Sequence, residues 1–531
     1  MGIKAVRLLR RWLAAFCLLP ACAIGAWADE FRTPSISAIR VEWRAVLDQF
    51  RSEINTQPAV ASAFTFASQR RAPRWDPRSM PALVQLNAIT SLVFPGIGRS
   101  PVPVLLPFDT ASYLGARQNG APDTISVSRY QADFRPADLF HAGAAGYDAM
   151  FSFEPGAGDG MPQRTYAKPV EVQITGSILT YDLADPLGGK GEPVKALAAQ
   201  FPDLRRFIRE GYVRYAFTRF GVPYVVSIQC LDSTPRPRRL ACREAYPVAE
   251  RFLKALRIAG GQPSPPRRDI SSEIAERPIM PSPDFTYRPS GDIVANSGSR
   301  KRGGRVDLTA YSQIRFPLEK APAFARSQSF KRKPDERGYP WQDNFCEARS
   351  FEVGQCAAGF GHQGQDIRPG ACMAQNSESP GSCDPRQQAV VAVRDGVLIR
   401  SLKQQAATLQ VNTRNEHIRF RYMHMNPSSL DADGVLNGRQ VTEGEKIGVA
   451  SNYLDYPNGT SLHLHFDVQV FTRDGWIWVN PYTTLISAYE RLLRGRGREL
   501  GTDPVAPAAV AHAQPQDVIR PDPQEGGEGD N

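Results

Sequence analysis

Apolar residues near the start of the chain recur at helical spacing. They lie three or four positions apart at Ile39, Trp43, Val46, Leu47, Phe50 and Ile54. This period places them on one face of a helix, and Pro34 with Ser35 supplies an entry signal before it. Residues 194–208 and 244–258 carry the same period, so they are also predicted to be helical.

Between these two stretches the period changes to two, which is typical of strands. Val213, Tyr215 and Phe217 alternate with Arg214, Ala216 and Thr218. Residues 221–223 predict a turn, residues 224–230 the returning strand, and residues 170–181 a further strand. We therefore expect residues 29–260 to form an α+β domain of unknown role. Its lone histidine, His141, is expected to be structural or on the surface.

Two later stretches are poor in apolar residues. Residues 261–305 are rich in Pro, Arg, Ser and Gly, and residues 494–531 are rich in Pro, Ala, Gly and acidic residues. Such compositions bury too little apolar surface to order themselves. The sequence predicts a linker for the first, which serves either as a solvated hinge or in wall adhesion, and a disordered tail for the second.

The region from 306 to 493 is predicted to be mostly β. Asp395-Gly396 between residues 389–393 and 397–399 predicts a hairpin. Further strands are expected at residues 409–411, 418–424 and 462–470, and a closing helix at 487–493.

Residues 1–28 have the pattern of an export signal. Four basic residues precede an apolar run from Trp12 to Trp27, and Ala26-Trp27-Ala28 is a small-x-small cleavage site. An uncleaved anchor is the alternative, but the run is shorter than the roughly 20 residues that span a bilayer, and it contains Pro20. Lipid attachment at Cys22 and twin-arginine export through Arg10-Arg11 are weaker alternatives. No other segment of the sequence is expected to span a membrane.

The net charge indicates which class of partner the protein binds. Removal of the four basic residues of the signal lowers the formal net charge from +10 to +6. A mildly basic surface favours anionic polymers, either cell-wall material or nucleic acid. Export argues against nucleic acid.

Six cysteines remain after that cleavage, and an even count in an exported protein indicates disulfides. They fall into three local pairs: Cys230 with Cys242, Cys346 with Cys356, and Cys372 with Cys383. Local pairing is the preferred arrangement, although six cysteines allow fifteen connectivities. A cysteine-ligated zinc is disfavoured because the chain has no Cys-x-x-Cys pair.

Candidate metal chemistry is concentrated in the last third of the chain. Four of the seven histidines lie there at close spacings with one aspartate: His362-x-x-x-Asp366, His424 and His463-x-His465. Imidazole nitrogens and a carboxylate oxygen are zinc ligands, and a hydrolytic zinc takes three protein ligands and leaves one position open. The set therefore predicts a catalytic zinc site with two histidines to spare.

Strand geometry sharpens this hypothesis. Residues two apart on a strand share a face, so His463 and His465 point to the same side. The same rule groups His424 with Ile418, Phe420 and Tyr422, and it puts His417 on the opposite face. We therefore expect His417 to lie outside the site.

These motifs resemble the lysostaphin/LytM-type zinc metalloendopeptidases, the murein endopeptidases. The resemblance covers residues 314–482, about a third of the chain. Besides the histidine motifs it includes Tyr422-x-His424, residues 441–448, the strand 461–468 and Asn480-Pro481. Residues 368–386 and the loop between Cys346 and Cys356 are extra relative to the family pattern. These two segments either narrow the substrate groove that the family has or only hold the chain together through their cysteine pairs.

The resemblance implies the fold, the roles and the setting. It implies a mostly-β metallopeptidase domain whose antiparallel sheets line an open groove. His362, Asp366 and His465 would bind Zn²⁺, and His424 and His463 would be the catalytic histidines. The protein would be periplasmic or secreted and would cut peptide cross-links of peptidoglycan. The role of the N-terminal domain stays open on its residues: it is a substrate-binding module, a dock for a cell-wall protein partner or a lid on the groove. Asp467, on the face of His465, is either an orienting residue or an ordinary solvent-facing acid.

Two other functions remain open on the sequence. The domain is a catalytically silent or autoinhibited module that regulates another wall hydrolase, or it is a structural zinc domain. The structural zinc domain predicts four closed ligands.

Overall fold

A computed structural model describes most of the chain. The described residues are 35–55, 81–118, 127–154, 169–183, 189–209, 211–230, 240–263, 281–291, 313–325, 340–356, 359–369, 389–400, 405–454 and 456–500. Their regular structure is mostly β, with six α-helices.

The helices are few and mostly short. They are α1 (Trp43–Asn55), α2 (Pro81–Thr90), α3 (Thr110–Gln118), α4 (Tyr246–Ala255), α5 (Pro427–Ala432) and α6 (Tyr482–Leu493). Single 3-10 turns form at Ile97–Arg99, Val127–Tyr130, Lys195–Leu197 and Cys242–Ala245.

The strands fall into an earlier and a later group. The earlier group is β1 (Ser35–Ala38), β2 (Val104–Leu106), β3 (Arg135–Ala142), β4 (Gly146–Phe153), β5 (Val170–Ser177), β6 (Leu179–Asp182), β7 (Glu192–Pro193), β8 (Arg205–Arg209), β9 (Tyr212–Arg219), β10 (Val222–Gln229) and β11 (Arg257–Gly260). The later group is β12 (Pro281–Tyr287), β13 (Ala323–Ala325), β14 (Gly364–Pro369), β15 (Ala389–Val391), β16 (Gly396–Ile399), β17 (Ala407–Asn412), β18 (His417–Met423), β19 (Gln440–Val441), β20 (Lys446–Val449), β21 (Leu464–Thr472), β22 (Gly475–Val479) and β23 (Arg496–Glu499).

Each group contains one large antiparallel sheet, and the remaining strands form the two-stranded sheets β1-β6, β2-β11, β12-β23 and β15-β20. The first sheet has the order β3-β4-β5-β10-β9-β8-β7. The second has the order β13-β14-β21-β18-β17-β16-β19, and β22 also pairs with β21. Alternate residues of each sheet enter separate hydrophobic cores, such as Val213 and Tyr215 in the first and Phe420 and Phe466 in the second. Each sheet therefore packs one face against its own core, and its second face packs elsewhere.

The second faces of the two sheets pack on each other. Ala216 and Val225 of the first sheet contact Phe471 and Trp476 of the second. A smaller apolar cluster joins Leu139 and Met150 to Val397 in the same way. The sheets thus cover each other on the sides that face away from their cores.

A buried ion cluster crosses this interface. Asp148 of β4 lies 2.8 Å from Nε2 of His417 and 3.2 Å from Nη2 of Arg419, both on β18. The hydroxyl of Thr175 donates to the same carboxylate at 2.7 Å. Asp148 is 1% exposed. Since a carboxylate is costly to bury unpaired, the cluster selects one docking of the two sheets.

The predicted hairpin of the first sheet is confirmed. Strands β9 and β10 pair with Arg219 opposite Val222. The turn is at Phe220-Gly221, where φ is 55° and 77°, so it begins one residue before the predicted turn at residues 221–223 and overlaps it at Gly221. Two successive positive φ angles are the requirement of a type I′ hairpin turn, which glycine meets without strain.

Helix α1 begins at Trp43, later than the entry signal at Pro34 and Ser35 suggests. Ser35–Ala38 is a strand that pairs with β6, and the hydroxyls of Ser35 and Ser37 donate to Asp182. The predicted helix at 244–258 ends at Ala255, after which the chain enters β11.

The helix predicted over residues 194–208 is wrong. The chain makes the single 3-10 turn Lys195–Leu197 and then enters β8, which pairs with β9. Phe201 precedes Pro202, and the residue before a proline is disfavoured in helical conformation. The apolar residues at helical spacing are buried by a turn and a strand instead.

The hairpin predicted around Asp395-Gly396 is also wrong. Strand β15 pairs with β20, whereas β16 pairs with β17 and β19, so the two strands belong to different sheets. Asp395 accepts a hydrogen bond from the backbone of Glu443 at 2.8 Å. The Asp-Gly signal therefore marks a passage between sheets rather than a reversal.

Parts of the predicted linker and tail are ordered strands. Within 261–305, β12 pairs in parallel with β23, which lies within 494–531. Phe285 of β12 packs edge-on against Trp341 and Tyr489. The two polar stretches order each other because together they supply a backbone partner and a buried aromatic ring.

Some predictions fall outside the described residues. These are the export signal at 1–28, most of the linker, the tail beyond 500, and the pair Cys372 and Cys383. The other two local cysteine pairs are confirmed as disulfides, Cys230–Cys242 and Cys346–Cys356. None of the described helices has the length and apolar character needed to cross a membrane.

The ion cluster yields a prediction for Asp148→Asn. Loss of the Asp148 charge leaves the guanidinium of Arg419 buried without its oppositely charged partner, so we expect a decrease of about 3 kcal/mol in the free energy of unfolding, measured in urea at pH 7. Asp133→Asn, which breaks an exposed pair with Arg251, is the control and should cost at most about 1 kcal/mol. Equal effects of the two substitutions would contradict the role of the cluster.

The same cluster predicts a dependence on pH. Burial raises the pKa of Asp148, but the charges of His417 and Arg419 outweigh it and lower the pKa to about 2. A lowered pKa in the folded state stabilises the protein above the ordinary value of 3.8 and loses this effect as the pH falls toward 2. The stability gap between the wild type and Asp148→Asn should therefore shrink between pH 5 and pH 2.

Candidate metal centre

Strand pairing brings the two distant motifs together. Strand β14 pairs antiparallel with β21, and Asp366 lies directly opposite His465. His362 precedes β14 by two residues. Since opposite residues of an antiparallel pair point to the same face, Asp366 and His465 project side by side.

The side chains of His362, Asp366 and His465 converge on one point. The Nε2 atom of His362 lies 3.0 Å from Nδ1 of His465 and 3.2 Å from Oδ1 of Asp366. The same Nδ1 and Oδ1 atoms are 3.3 Å apart. Among the described residues, these three form the group whose ligand atoms lie within 4.8 Å of one another. All three side chains are buried.

The two remaining histidines line the same cluster. Nε2 of His463 lies 3.4 Å from Oδ1 of Asp366. The ring centroids of His424 and His463 are 4.4 Å apart, and those of His424 and His465 are 6.1 Å apart. The structure therefore places all five residues singled out in the sequence in one buried group.

The outward nitrogens of three rings face backbone carbonyls. Nδ1 of His362 is 3.0 Å from the carbonyl of Asn344, Nδ1 of His463 is 2.7 Å from that of Ser461, and Nδ1 of His424 is 3.0 Å from that of Tyr453. A carbonyl only accepts, so each Nδ1 donates and the inward Nε2 of the neutral ring keeps its lone pair. These rings are oriented as metal ligands or proton acceptors.

His424 reaches the cluster because the strand ends before it. Strand β18 stops at Met423, and His424 has φ = 64°. A left-handed backbone at a residue with a side chain costs about 1–3 kcal/mol and occurs preferentially at functional sites. This turn redirects the ring of His424 toward His463.

The predicted grouping of faces is therefore wrong. Tyr422 and Phe420 enter the core of the second sheet, whereas Met423 lies opposite His465 on the other face. A regular strand would have sent His424 into that core. His417 lies on the same face of the sheet as the cluster. It is outside the cluster because it lies at the other end of β18, where it contacts Asp148.

Burial and mutual charge shift the titration of the group. Burial raises the pKa of Asp366, but the charges of His362 and His463 outweigh it and bring the pKa well below its usual range. Burial lowers the pKa of His463 to about 4 despite the opposing effect of Asp366. At neutral pH the cluster thus offers an ionised carboxylate and a neutral His463.

The residues fit a zinc ion. Four ligands at bond lengths of about 2.0–2.1 Å in a tetrahedron lie about 3.3 Å from one another. The three donor separations of 3.0–3.3 Å match this spacing. The second carboxylate oxygen of Asp366, Oδ2, is buried and has no hydrogen-bond partner in the part of the chain that the structure describes. Two imidazole nitrogens with one carboxylate oxygen are a donor set of zinc hydrolases.

The loop closed by Cys346–Cys356 holds His362. The backbone NH of Cys346 donates to the carbonyl of His362 at 2.8 Å, and the NH of His362 donates to that of Glu347 at 2.8 Å. A Cβ on Gly361 would lie 3.0 Å from Sγ of Cys356, so the disulfide packs against the segment that carries the first ligand. This extra loop is therefore part of the support of the site.

A buried polar network behind the site was missed in the sequence. Asn344 accepts a hydrogen bond from the backbone NH of Asp366 at 3.3 Å, and its own NH donates to Gln365 at 3.2 Å. Gln365 and Asn480 both donate to Asp343. The one sequence signal for this network was the motif Asn480-Pro481, which contains one of its members. The segment with Asp343 and Asn344 lies about 20 residues before Asp366 and has no motif of its own.

Comparisons with known proteins add little. No family model matches the chain, and no curated protein matches it. A solved structure described as a glycyl-glycine endopeptidase LytM, from Ruminococcus gnavus, is 21% identical over 27% of this chain, with a TM-score of 0.18. The match covers 51% of the solved chain, so the present protein matches about half of the length of that chain. At this level the likeness carries no argument about activity.

The disulfide beside His362 yields a prediction. Cys346→Ser/Cys356→Ser opens a short loop, which should lower the free energy of unfolding by about 2–3 kcal/mol and should also weaken zinc binding, because His362 loses its support. Cys230→Ser/Cys242→Ser is the matched control, since this disulfide spans a similar sequence separation but both of its cysteines pack in the core of the first sheet. It should cost similar stability and leave zinc affinity unchanged. Equal zinc affinity in both double variants would show that the loop does not support the site.

Proposed function

We propose that this protein is an exported zinc metalloendopeptidase that hydrolyses peptide cross-links of peptidoglycan. The observation that carries the proposal is the group of three donors at tetrahedral spacing with two further oriented histidines beside it. A structural zinc would use four protein ligands, whereas the group comprises three among the described residues.

His362, Asp366 and His465 would hold the zinc through Nε2, Oδ1 and Nδ1. When bound, zinc supplies Lewis acidity, which makes a water more acidic and polarises the scissile carbonyl. The carboxylate of Asp366 reduces the net positive charge of such a site. The buried rings exclude bulk water, so charge interactions within the site are strong.

His424 and His463 would carry the proton transfers. Each Nδ1 faces a backbone carbonyl, so Nε2 is the nitrogen that would accept a proton from the attacking water. The protonated ring can then stabilise the oxyanion or pass the proton to the leaving amine. We assign these two steps to the pair, without dividing them.

Charge and cysteine chemistry support the substrate and the location. The mildly basic mature chain suits an anionic wall polymer, and disulfides persist in oxidising compartments. We propose a periplasmic or secreted location and two functional domains, 29–260 and 306–493. The first domain is proposed as the contact for a cell-wall partner.

A second function is favoured by one observation. The five side chains are at most 3% exposed, so a bulky wall peptide has little direct access to them. This favours a silent or autoinhibited module that regulates another hydrolase. Such a module would bind zinc without cutting purified sacculi.

Digestion of purified peptidoglycan tests the proposal. The full mature chain with zinc should release fragments with new free amines on cross-link peptides, detected by mass spectrometry. His465→Ala should lose this activity by at least about a hundredfold because one ligand is missing. His141→Ala, a histidine outside the cluster, should retain it. Cleaved glycan strands, or intact sacculi with zinc-loaded protein, would contradict the endopeptidase assignment.

A second prediction separates proton transfer from metal binding. His424→Ala should lower the turnover number by about 10²–10⁴-fold because it removes a proton-transfer group. The variant should keep one zinc per chain, measured by metal analysis after dialysis. If zinc is lost together with activity, His424 is a ligand rather than a catalytic residue.

A further inference from the structure

One ring in the cluster has a different partner for its outward nitrogen. The rings of His362, His424 and His463 face backbone carbonyls, whereas Nε2 of His465 faces the carboxylate of Asp467 at 3.4 Å. Nε2 of His465 is buried and makes no regular hydrogen bond to any described residue, so its contact with Asp467 at this distance is a charge contact. Its other nitrogen, Nδ1, faces Asp366 and His362. The ring of His465 therefore lies between two carboxylates, one within the ligand group and one behind it.

Asp467 is itself held by two donors on neighbouring strands. Nε of Arg421 on β18 donates to Oδ2 at 2.6 Å, and Nε1 of Trp478 on β22 donates to Oδ1 at 3.1 Å. Asp467 is fully buried. An ionised carboxylate in such a place needs this kind of compensation, and Arg421 supplies the opposite charge. The orientation of Asp467 is thus set by three strands of the second sheet.

The backbone leaves room for this pair. A Cβ on Gly364 would lie 2.8 Å from Cβ of Asp467 and 2.9 Å from Nε2 of His465. Both distances are shorter than real contacts, so any larger residue at 364 would push the two groups away. Gly364 lies opposite Asp467 in the β14–β21 pairing. The register that joins Asp366 to His465 also opens the space for Asp467.

We propose that Asp467 is a positioning residue for the metal ligand His465. Its negative charge beside Nε2 favours the tautomer that carries the proton on Nε2 and the lone pair on Nδ1, and it fixes the plane of the ring toward Asp366. Arg421 and Trp478 hold Asp467 in place for this role. The inference rests on the metal site of the proposed function but does not depend on which substrate is cut. A carboxylate behind a ligating histidine also increases the basicity of the ring.

Zinc affinity of the full mature chain tests the role of Asp467. Competition with a chromophoric chelator should give a dissociation constant for Asp467→Asn that is about 10–100 times larger than that of the wild type. Asp148→Asn is the matched control. Asp148 is also a buried carboxylate bound to an arginine of β18 and to a histidine, but its hydrogen bonds among the described residues are with His417, Arg419 and Thr175 and not with the cluster. Its zinc affinity should stay within twofold of the wild type.

A second variant covers the case of misfolding. Asp467→Asn leaves Arg421 buried without its carboxylate, whereas Asp467→Asn/Arg421→Gln removes both charges and avoids that cost. The double variant should show the same loss of zinc affinity with a smaller loss of stability. Unchanged zinc affinity in either folded variant would overturn the proposal. An equal loss in Asp148→Asn would overturn it too, since any damage to the sheet would then suffice.

The measurement also separates this inference from the proposed function. If the wild type binds zinc tightly but leaves sacculi intact, the peptidase assignment fails while the positioning role is still decided by the affinities. If Asp467→Asn cuts sacculi with wild-type zinc affinity, the peptidase assignment stands and the positioning role fails.

Discussion

The candidate site depends on the pairing of β14 with β21. These strands are about 100 residues apart in the chain, and their register sets Asp366 opposite His465. A shift of one residue would turn one of the two side chains into the core on the other face, because strand side chains alternate. The buried alternation of Leu464 and Phe466 resists such a shift. The hydrophobic core of the second sheet therefore specifies the geometry of the polar cluster on its opposite face.

That opposite face is shared between the cluster and the first sheet. Its polar residues run from His465 through Asp467 and Arg421 to Arg419, where Asp148 of the first sheet joins them. Each charge in this row has an oppositely charged neighbour, as burial requires. The apolar contacts of Phe471 and Trp476 fill the remaining space between the sheets. The N-terminal sheet is thus packed on the face of the second sheet that also carries the candidate site.

Local backbone strain and a disulfide complete the arrangement. His424 leaves its strand with a left-handed backbone, and the loop closed by Cys346–Cys356 supports His362 from outside the sheet. Both features act on residues that regular strand geometry alone would not bring to the cluster. The sheet supplies two of the five side chains in register, and irregular segments supply the rest.

Much of this was accessible from the sequence, because short-range spacing has direct geometric consequences. The alternation at His463 and His465, the close pair His362 and Asp366, and the two local disulfides each follow from residues that are near in the chain. Predictions of secondary structure and order failed where the conformation of a segment depends on residues that are distant in the sequence. Residues 194–208 have a helical period but lie beside a strand that needs pairing, and Phe285 in a polar stretch is ordered by an aromatic core far along the chain.

Residue types and short-range spacing established which ligands are available and how they are spaced along the chain. Contacts between distant segments established that His424 turns toward His463, that Asp467 lies behind His465, and that Asp148 joins one sheet to the other. Each of these contacts joins segments that are paired or packed by burial of distant apolar faces. A linear pattern records the period of a strand, but not which strand lies beside it or where its regular backbone stops.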